Sequence, residues 1–335
     1  MYMNLNQNSF TGSEFSLGKY LFLGFISVVL CSSFVMSVFT PLPLCVAFFT
    51  FGRQKGYLLG GIGVGLCLLL QFLMGSYLLI SYSLYFIFSL CIVEIIYRNL
   101  HPVQGLVKLS LYLGGGMLFL IILFGFSLDG GYEGLIKKKI NEVHLEIEEN
   151  RENFLAIFQG ADRDKVALLL DDREKMVKNA VDSLPMIPFL VLIGIFFCIW
   201  VNLLLILRAK TAYLHKVTYD FEVANLIDFK VPDSFIWPFI ISLVSFFLSG
   251  EQGQLNALCK GVIFTFALFY FFQGFGIFVD LLNRLRIKGL LRSFLVVFTI
   301  YLFHWVLALV GLFDMWVNFK KIFKNKLDIE RGDGK

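Results

Sequence analysis

Few residues in this chain can do chemistry, and most of them sit where polar groups are costly. Gln273 lies midway through an apolar run, in Phe271-Phe-Gln-Gly-Phe-Gly276, and His304 lies near the centre of the next run, 293–318. Inside a bilayer each needs a hydrogen-bond partner or a wet cavity, which makes each a candidate functional residue. A bond to a neighbouring helix satisfies either one, and lining a ligand cavity is the alternative. His304 could also carry protons, because its charge changes near neutral pH. Asp314 ends the last apolar segment, in Gly311-Leu-Phe-Asp-Met-Trp-Val-Asn-Phe-Lys320. Trp316 and the lysines suit lipid head groups, which reads Asp314 as part of an anchor. The sharper reading pairs it with a basic group from another segment. Arg53 follows an apolar stretch opened by Pro41 and Pro43. Glu94/Arg98 and Asp280/Arg284 have the i,i+4 spacing of local ion pairs, with Lys108 a second partner for Glu94. Lys260 is placed to snorkel to the interface.

The motifs of common enzyme classes are missing. The chain contains no H-E-x-x-H, P-loop or G-x-S-x-G, and its four histidines are scattered. The six cysteines, Cys31, Cys45, Cys67, Cys91, Cys198 and Cys259, form no C-x-x-C pair and lie in or beside apolar runs. A thiol there acts as a small hydrophobe. The expectation is a protein that is not an enzyme and that holds no metal or cofactor. With no nucleotide motif, active transport would need a separate ATPase motor or an ion gradient.

The elements that must position these residues follow from composition. Of 335 residues, 58% are hydrophobic and 16% charged, and 39 are Phe. Usual shares are roughly 45–50% and 25%. Nucleic-acid modules, intrinsic disorder and disulfide scaffolds are excluded as readings of the whole. The expected fold is all-α: a polytopic transmembrane helix bundle of 8–9 segments with an inserted extramembrane helical hairpin. Candidate spans are 20–40, 57–75, 77–97, 103–127, 185–207, 234–250, 257–282 and 293–318. Stretch 41–52 is too short to cross as a helix. It reads as a broken or re-entrant piece, as a short helix continued by extended chain, or as a Pro-rich turn at the surface. The chain divides into an N-terminal tail (1–19), a first bundle (20–127), the hairpin (128–184), a second bundle (185–318) and a basic tail (319–335). Lys and Arg in loops 53–56, 98–101, 208–233 and 284–292 place those loops in the cytoplasm and the hairpin outside if 41–52 crosses or the N-terminus is outside. The basic tail also suits the cytoplasm, yet one crossing from Arg292 puts it outside: either the tail is external, or 234–250 fails to cross and the 284–292 loop is external. From 128 to 184 there are 9 Lys/Arg and 13 Asp/Glu. Within that insert Ile136, Ile140, Val143, Ile147, Asn150, Phe154 and Ile157 recur at 4-3 spacing, one seam of a helix. Asp162 is placed to cap a second helix. Gly61-x-x-x-Gly65 suits close helix approach, and Gly114–Gly116 is a candidate unwound turn.

Several short segments look alike to a known set when taken in order. They are Pro41-Leu-Pro with Gly52-Arg53 and Gly56, Trp200-Val-Asn202, Phe229-Lys-Val-Pro232 with Trp237-Pro238, Asn256, Gln273-Gly274, and Gly311-Leu-Phe-Asp314 through Lys320. This order resembles the YybS-like family of bacterial multi-pass membrane proteins. Asn318 stands where an acidic residue would be expected, and Lys320 replaces Arg. That family is in turn similar to the substrate-binding S components of energy-coupling-factor vitamin transporters. The second likeness implies a cavity between helices and a coupling surface of small residues, for which Gly24, Ser27 and Cys31 qualify.

Together these features lead to a multi-pass protein of the bacterial cytoplasmic (inner) membrane. Its first expected role is a solute-binding or transport component, with a ligand cavity among Pro41, Pro43, Arg53, Gln273, His304 and Asp314. Its partners would be the lipid bilayer, a small-molecule solute and a membrane partner or separate ATPase motor, with no nucleic acid. The alternative role is a membrane scaffold that docks partners through the outward hairpin.

Overall fold

The computed structural model describes residues 16–33, 35–74, 78–127, 130–151, 155–156, 173–210, 217–250 and 253–319. Most of these residues are helical, with no strand among them. The helices are α1 (Leu17–Ser32), α2 (Pro41–Phe51), α3 (Arg53–Met74), α4 (Leu78–Tyr97), α5 (Pro102–Ser127) and α6 (Gly131–Glu149). They continue with α7 (Arg173–Ser183), α8 (Ile187–Arg208), a short α9 (Val223–Ile227), α10 (Ile236–Leu248), α11 (Gln254–Arg284) and α12 (Gly289–Val317). Among the described residues, six helical stretches are long and apolar enough to cross a membrane: Arg53–Leu73, Leu78–Tyr97, Pro102–Ser127, Glu174–Arg208, Gln254–Arg284 and Gly289–Val317. Leu17–Ser32, Met36–Phe51 and Asp233–Leu248 are apolar but shorter.

Six of the eight expected spans therefore have full length, and two do not. The run 20–40 is not one helix. The Ser32 and Ser33 hydroxyls both donate to the Val29 carbonyl, taking up an acceptor of the last turn. The chain leaves the helix at Ser33, makes a 3-10 turn at Met36–Phe39 and restarts at Pro41. Pro41 and Pro43 occupy the first turn of α2, where a missing N–H costs nothing. Both are buried, so this stretch is not a surface turn. The 234–250 run yields only the 13-residue α10.

The chain forms two compact units. The first lies within 1–106 and 197–223, and α2 is its centre: Leu44, Cys45, Ala47 and Phe48 have no exposed surface. Lipid is as apolar as these side chains, so close packing rather than escape from water holds such a core. Gly56, Gly60 and Gly63 allow it, because a Cβ there would overlap Phe48, Phe86 and Tyr82. Gly61 and Gly65, the pair at the expected spacing, face open space. The small face of α1 is also internal. Gly24 lies under Leu59, Ser27 meets the Tyr82 hydroxyl at 3.0 Å, and Cys31 is buried, so these residues form no coupling surface.

The second unit lies within 107–196 and 224–335. α11 is its spine, packed by α10, α12, α7 and the 3-10 turn Leu184–Met186. Phe196, Phe229, Phe269 and Phe272 stack around it with ring centroids 5.2–6.2 Å apart. The Gly114–Gly116 run stays helical rather than unwinding. α6 and α7 contact each other, and α7 continues into α8 through the turn at Pro185. The expected seam on α6 is half-covered at Ile136, Ile140 and Ile147 and exposed at Val143. Residues 157–172, with the expected cap Asp162, lie outside the described residues.

Candidate functional site

The second unit brings two of the candidate residues together. α11 and α12 cross with their backbones in contact at Gly274 and Gly311. A Cβ on Gly274 would overlap the Leu307 carbonyl, and one on Gly311 would overlap the Tyr270 carbonyl. Gln273 and Asp314 flank this crossing. The Gln273 Nε2 donates to Asp314 Oδ2 at 2.8 Å, and Gln273 Oε1 accepts from the Val231 N–H at 2.9 Å. Only this orientation of the amide satisfies both partners. Asp314 Oδ1 accepts from the Phe319 N–H at 2.7 Å, and its backbone carbonyl accepts from the Asn318 N–H at 2.9 Å. Asn318 takes the left-handed conformation, φ 51°, that ends the helix. Gln273 is 1% exposed and Asp314 8%.

The site is therefore a junction of three elements. Segment 227–232 lies along α11, where Gly276 makes room for the Ile227 carbonyl, and Phe229 joins the phenylalanine stack. Gln273 fixes that segment to α11, and Asp314 fixes the end of α12 to both. Both polar atoms of Gln273 and both carboxylate oxygens of Asp314 have protein partners. The partner of Asp314 is an amide rather than the basic group the sequence suggested.

The remaining candidates lie elsewhere. His304 is exposed on α12, its ring 5.3 Å from that of Trp305 and one residue after Phe303, where the helix kinks with φ −122° and ψ 25°. Pro41 and Pro43 are in the first unit, as is Arg53, whose guanidinium lies 4.4 Å from the Tyr97 ring centroid and 3.9 Å from Glu94. Glu94 also holds Arg98 at 2.5 Å, the expected i,i+4 pair. The Tyr219 hydroxyl donates to the Leu100 carbonyl at 3.0 Å, and burial pushes its phenol up. Asp220 and Asn99 exchange two hydrogen bonds, and Lys210 donates to the Tyr219 and Phe221 carbonyls. The first turn of α3 (53–56), residues 98–101 and the described residues 208–210 and 217–222 thus gather at one end of this unit.

Cavities of the second unit include two that are lined by described residues. One, of about 680 Å³, is lined by Met117, Ile121, Phe124, Leu184, Ile187 and Pro188, with Tyr132 and Gln254 also in its wall. Tyr132 folds back over Gly125, and its hydroxyl donates to the Ile121 carbonyl. The other, about 650 Å³, is a cleft between α6 and α7 lined by Glu133, Lys137, Glu174, Lys178 and Asp182. The apolar residues that line the first cavity do not stand out in the sequence, because an apolar residue facing a cavity has the same pattern as one facing lipid. A different tie was within reach: Asn202, in Trp200-Val-Asn202, donates to the Val38 carbonyl at 2.7 Å and holds the break before α2.

No curated protein and no solved structure matches this chain. A family model described as "Predicted membrane protein (DUF2232)" matches residues 20–315, which contain the Gln273–Asp314 junction, the α2 break and both cavities. With nearly the whole chain covered and six helices of spanning length and composition, the protein belongs to this family of multi-pass membrane proteins.

Proposed function

We propose that the chain is a membrane solute-binding component, a binding rather than a catalytic protein, whose ligand is apolar or amphiphilic. The observation that carries this reading is the 680 Å³ cavity of the second unit. Ligand pockets run from about 300 to 1,000 Å³ and combine an apolar wall with a few fixed polar groups. Here the wall comes from α5, the 184–186 turn and α8, and Tyr132 and Gln254 are the lining residues whose side chains carry polar groups. The sequence resemblance to the YybS-like family, and through it to S components, points the same way. The protein then lies in the bacterial cytoplasmic membrane with 53–56, 98–101, 208–233 and 284–292 inside, and any transport step falls to a separate motor or gradient. Gln273 and Asp314 act as a structural lock and not as ligand contacts. The test is thermal stabilisation of the purified protein by a panel of apolar and amphiphilic solutes, with Ile187→Trp as the cavity-filled variant. Wild type should be stabilised by at least one solute and the filled variant by none. Equal stabilisation of the two would contradict the assignment.

A second reading, the membrane scaffold, is favoured by Val143 and Leu145 on α6, which are 46% and 64% exposed. Removing residues 135–182 should then abolish copurification of partners while solute stabilisation persists.

A further inference from the structure

The two cavities of the second unit have linings that adjoin along the chain. Tyr132 faces the apolar chamber and the next residue, Glu133, faces the charged cleft. On the other side Asp182 faces the cleft, and Leu184, two residues on, faces the chamber. The lining therefore changes from apolar to charged within a turn of helix, where α6 begins and α7 ends. The chamber wall includes Leu120 and Phe124, which are 61% and 54% exposed on a helix that reads as membrane-spanning, so its open side faces acyl chains. The cleft carries both signs. Lys137 pairs with Glu133 at 2.7 Å, and Lys178 stands one turn from both Glu174 and Asp182. From this juxtaposition we infer that the site holds a zwitterionic glycerophospholipid, one acyl chain in the chamber and the head group in the cleft. The head group's phosphate faces Lys178 and Lys137, and its ammonium faces Glu174 and Asp182. A free fatty acid or an anionic lipid would satisfy one sign of the cleft and leave the other unused. The inference rests on the proposed solute-binding function and names the ligand class for the same cavity.

The test uses the full chain in lipid nanodiscs containing phosphatidylethanolamine with a diazirine at the end of one acyl chain. After illumination, the cross-linked peptides should contain Met117 or Ile187. Unlabelled phosphatidylethanolamine should compete best, phosphatidylglycerol less well and diacylglycerol least. In Lys178→Glu, a change on the exposed face of α7, the preference for phosphatidylethanolamine over diacylglycerol should fall by about fivefold, the effect of one exposed charge pair. Cross-links in the chamber with all three lipids competing equally, in wild type and variant, would overturn the head-group assignment while leaving an apolar solute site intact. Cross-links confined to residues outside the chamber would overturn both.

Discussion

At Gly274 and Gly311 a single methyl group decides whether two helices can meet. Each added Cβ would overlap a backbone carbonyl, which cannot rotate aside as a side chain can. Gly274→Ala and Gly311→Ala should each cost about 1–3 kcal/mol by overpacking. Gly65→Ala, where a Cβ meets open space, should be neutral or stabilise by up to about 1 kcal/mol through helix propensity. Denaturant unfolding in detergent micelles would order the three variants, and equal losses in all would remove the crossing from the account. The Gln273–Asp314 pair separates from His304 in the same assay. An interhelical hydrogen bond inside a membrane averages about 0.6 kcal/mol, but Gln273→Leu also strands the buried Val231 N–H and one oxygen of a buried carboxylate. Each stranded group costs about 1–3 kcal/mol. Gln273→Leu should therefore lose more than about 1 kcal/mol, whereas exposed His304→Leu should change stability by less than about 0.5 kcal/mol.

Among the elements, α2 is the most demanding, since eleven helical residues sit in the middle of a unit with an irregular approach from Ser33 to Thr40. Irregular backbone at such depth persists only when its polar groups are satisfied. In the approach, Asn202 satisfies the Val38 carbonyl and the Tyr85 hydroxyl donates to the Ser37 side chain at 2.9 Å; at the far end of α2, Tyr97 donates to the Phe48 carbonyl at 3.0 Å. Asn202→Leu should destabilise the protein by about 1–3 kcal/mol and speed amide exchange at 36–44, as read by hydrogen-exchange mass spectrometry. Unchanged exchange there would mean that Asn202 does not hold the break. The apolar runs were legible from sequence because 20 apolar residues have few other uses, and six of the eight expected spans have full length. The break at Ser33 was not legible, because Ser32-Ser33 inside an apolar run differs from ordinary helix only through the carbonyl its hydroxyls find. The glycine faces show the same limit. Gly61-x-x-x-Gly65 had the right spacing and the wrong rotation, while Gly274 and Gly311 lie on different helices and carry no shared spacing. At the junction, the types of Gln273 and Asp314 marked them correctly as costly inside a membrane, and only the fold joined them to each other and parted them from His304 and Arg53.

For the molecule as a whole, the described helices give a multi-pass protein whose first unit gathers the basic loops at one end and whose second unit carries an apolar chamber beside a charged cleft. All six cysteines are buried, so the folded wild-type protein should resist a membrane-impermeant maleimide from either side. A cysteine placed at Gln54 or Asn99 should then react from the cytoplasmic side alone, and labelling of either from outside would reverse the orientation. The central claim is that the second unit holds a ligand. Native mass spectrometry of the protein released from its own membrane tests it most directly, with wild type and Ile187→Trp compared under the same activation. The account expects wild type to keep one bound amphiphile of defined mass and the filled variant to fly bare. Bare wild type, or the same adduct on both proteins, would contradict it.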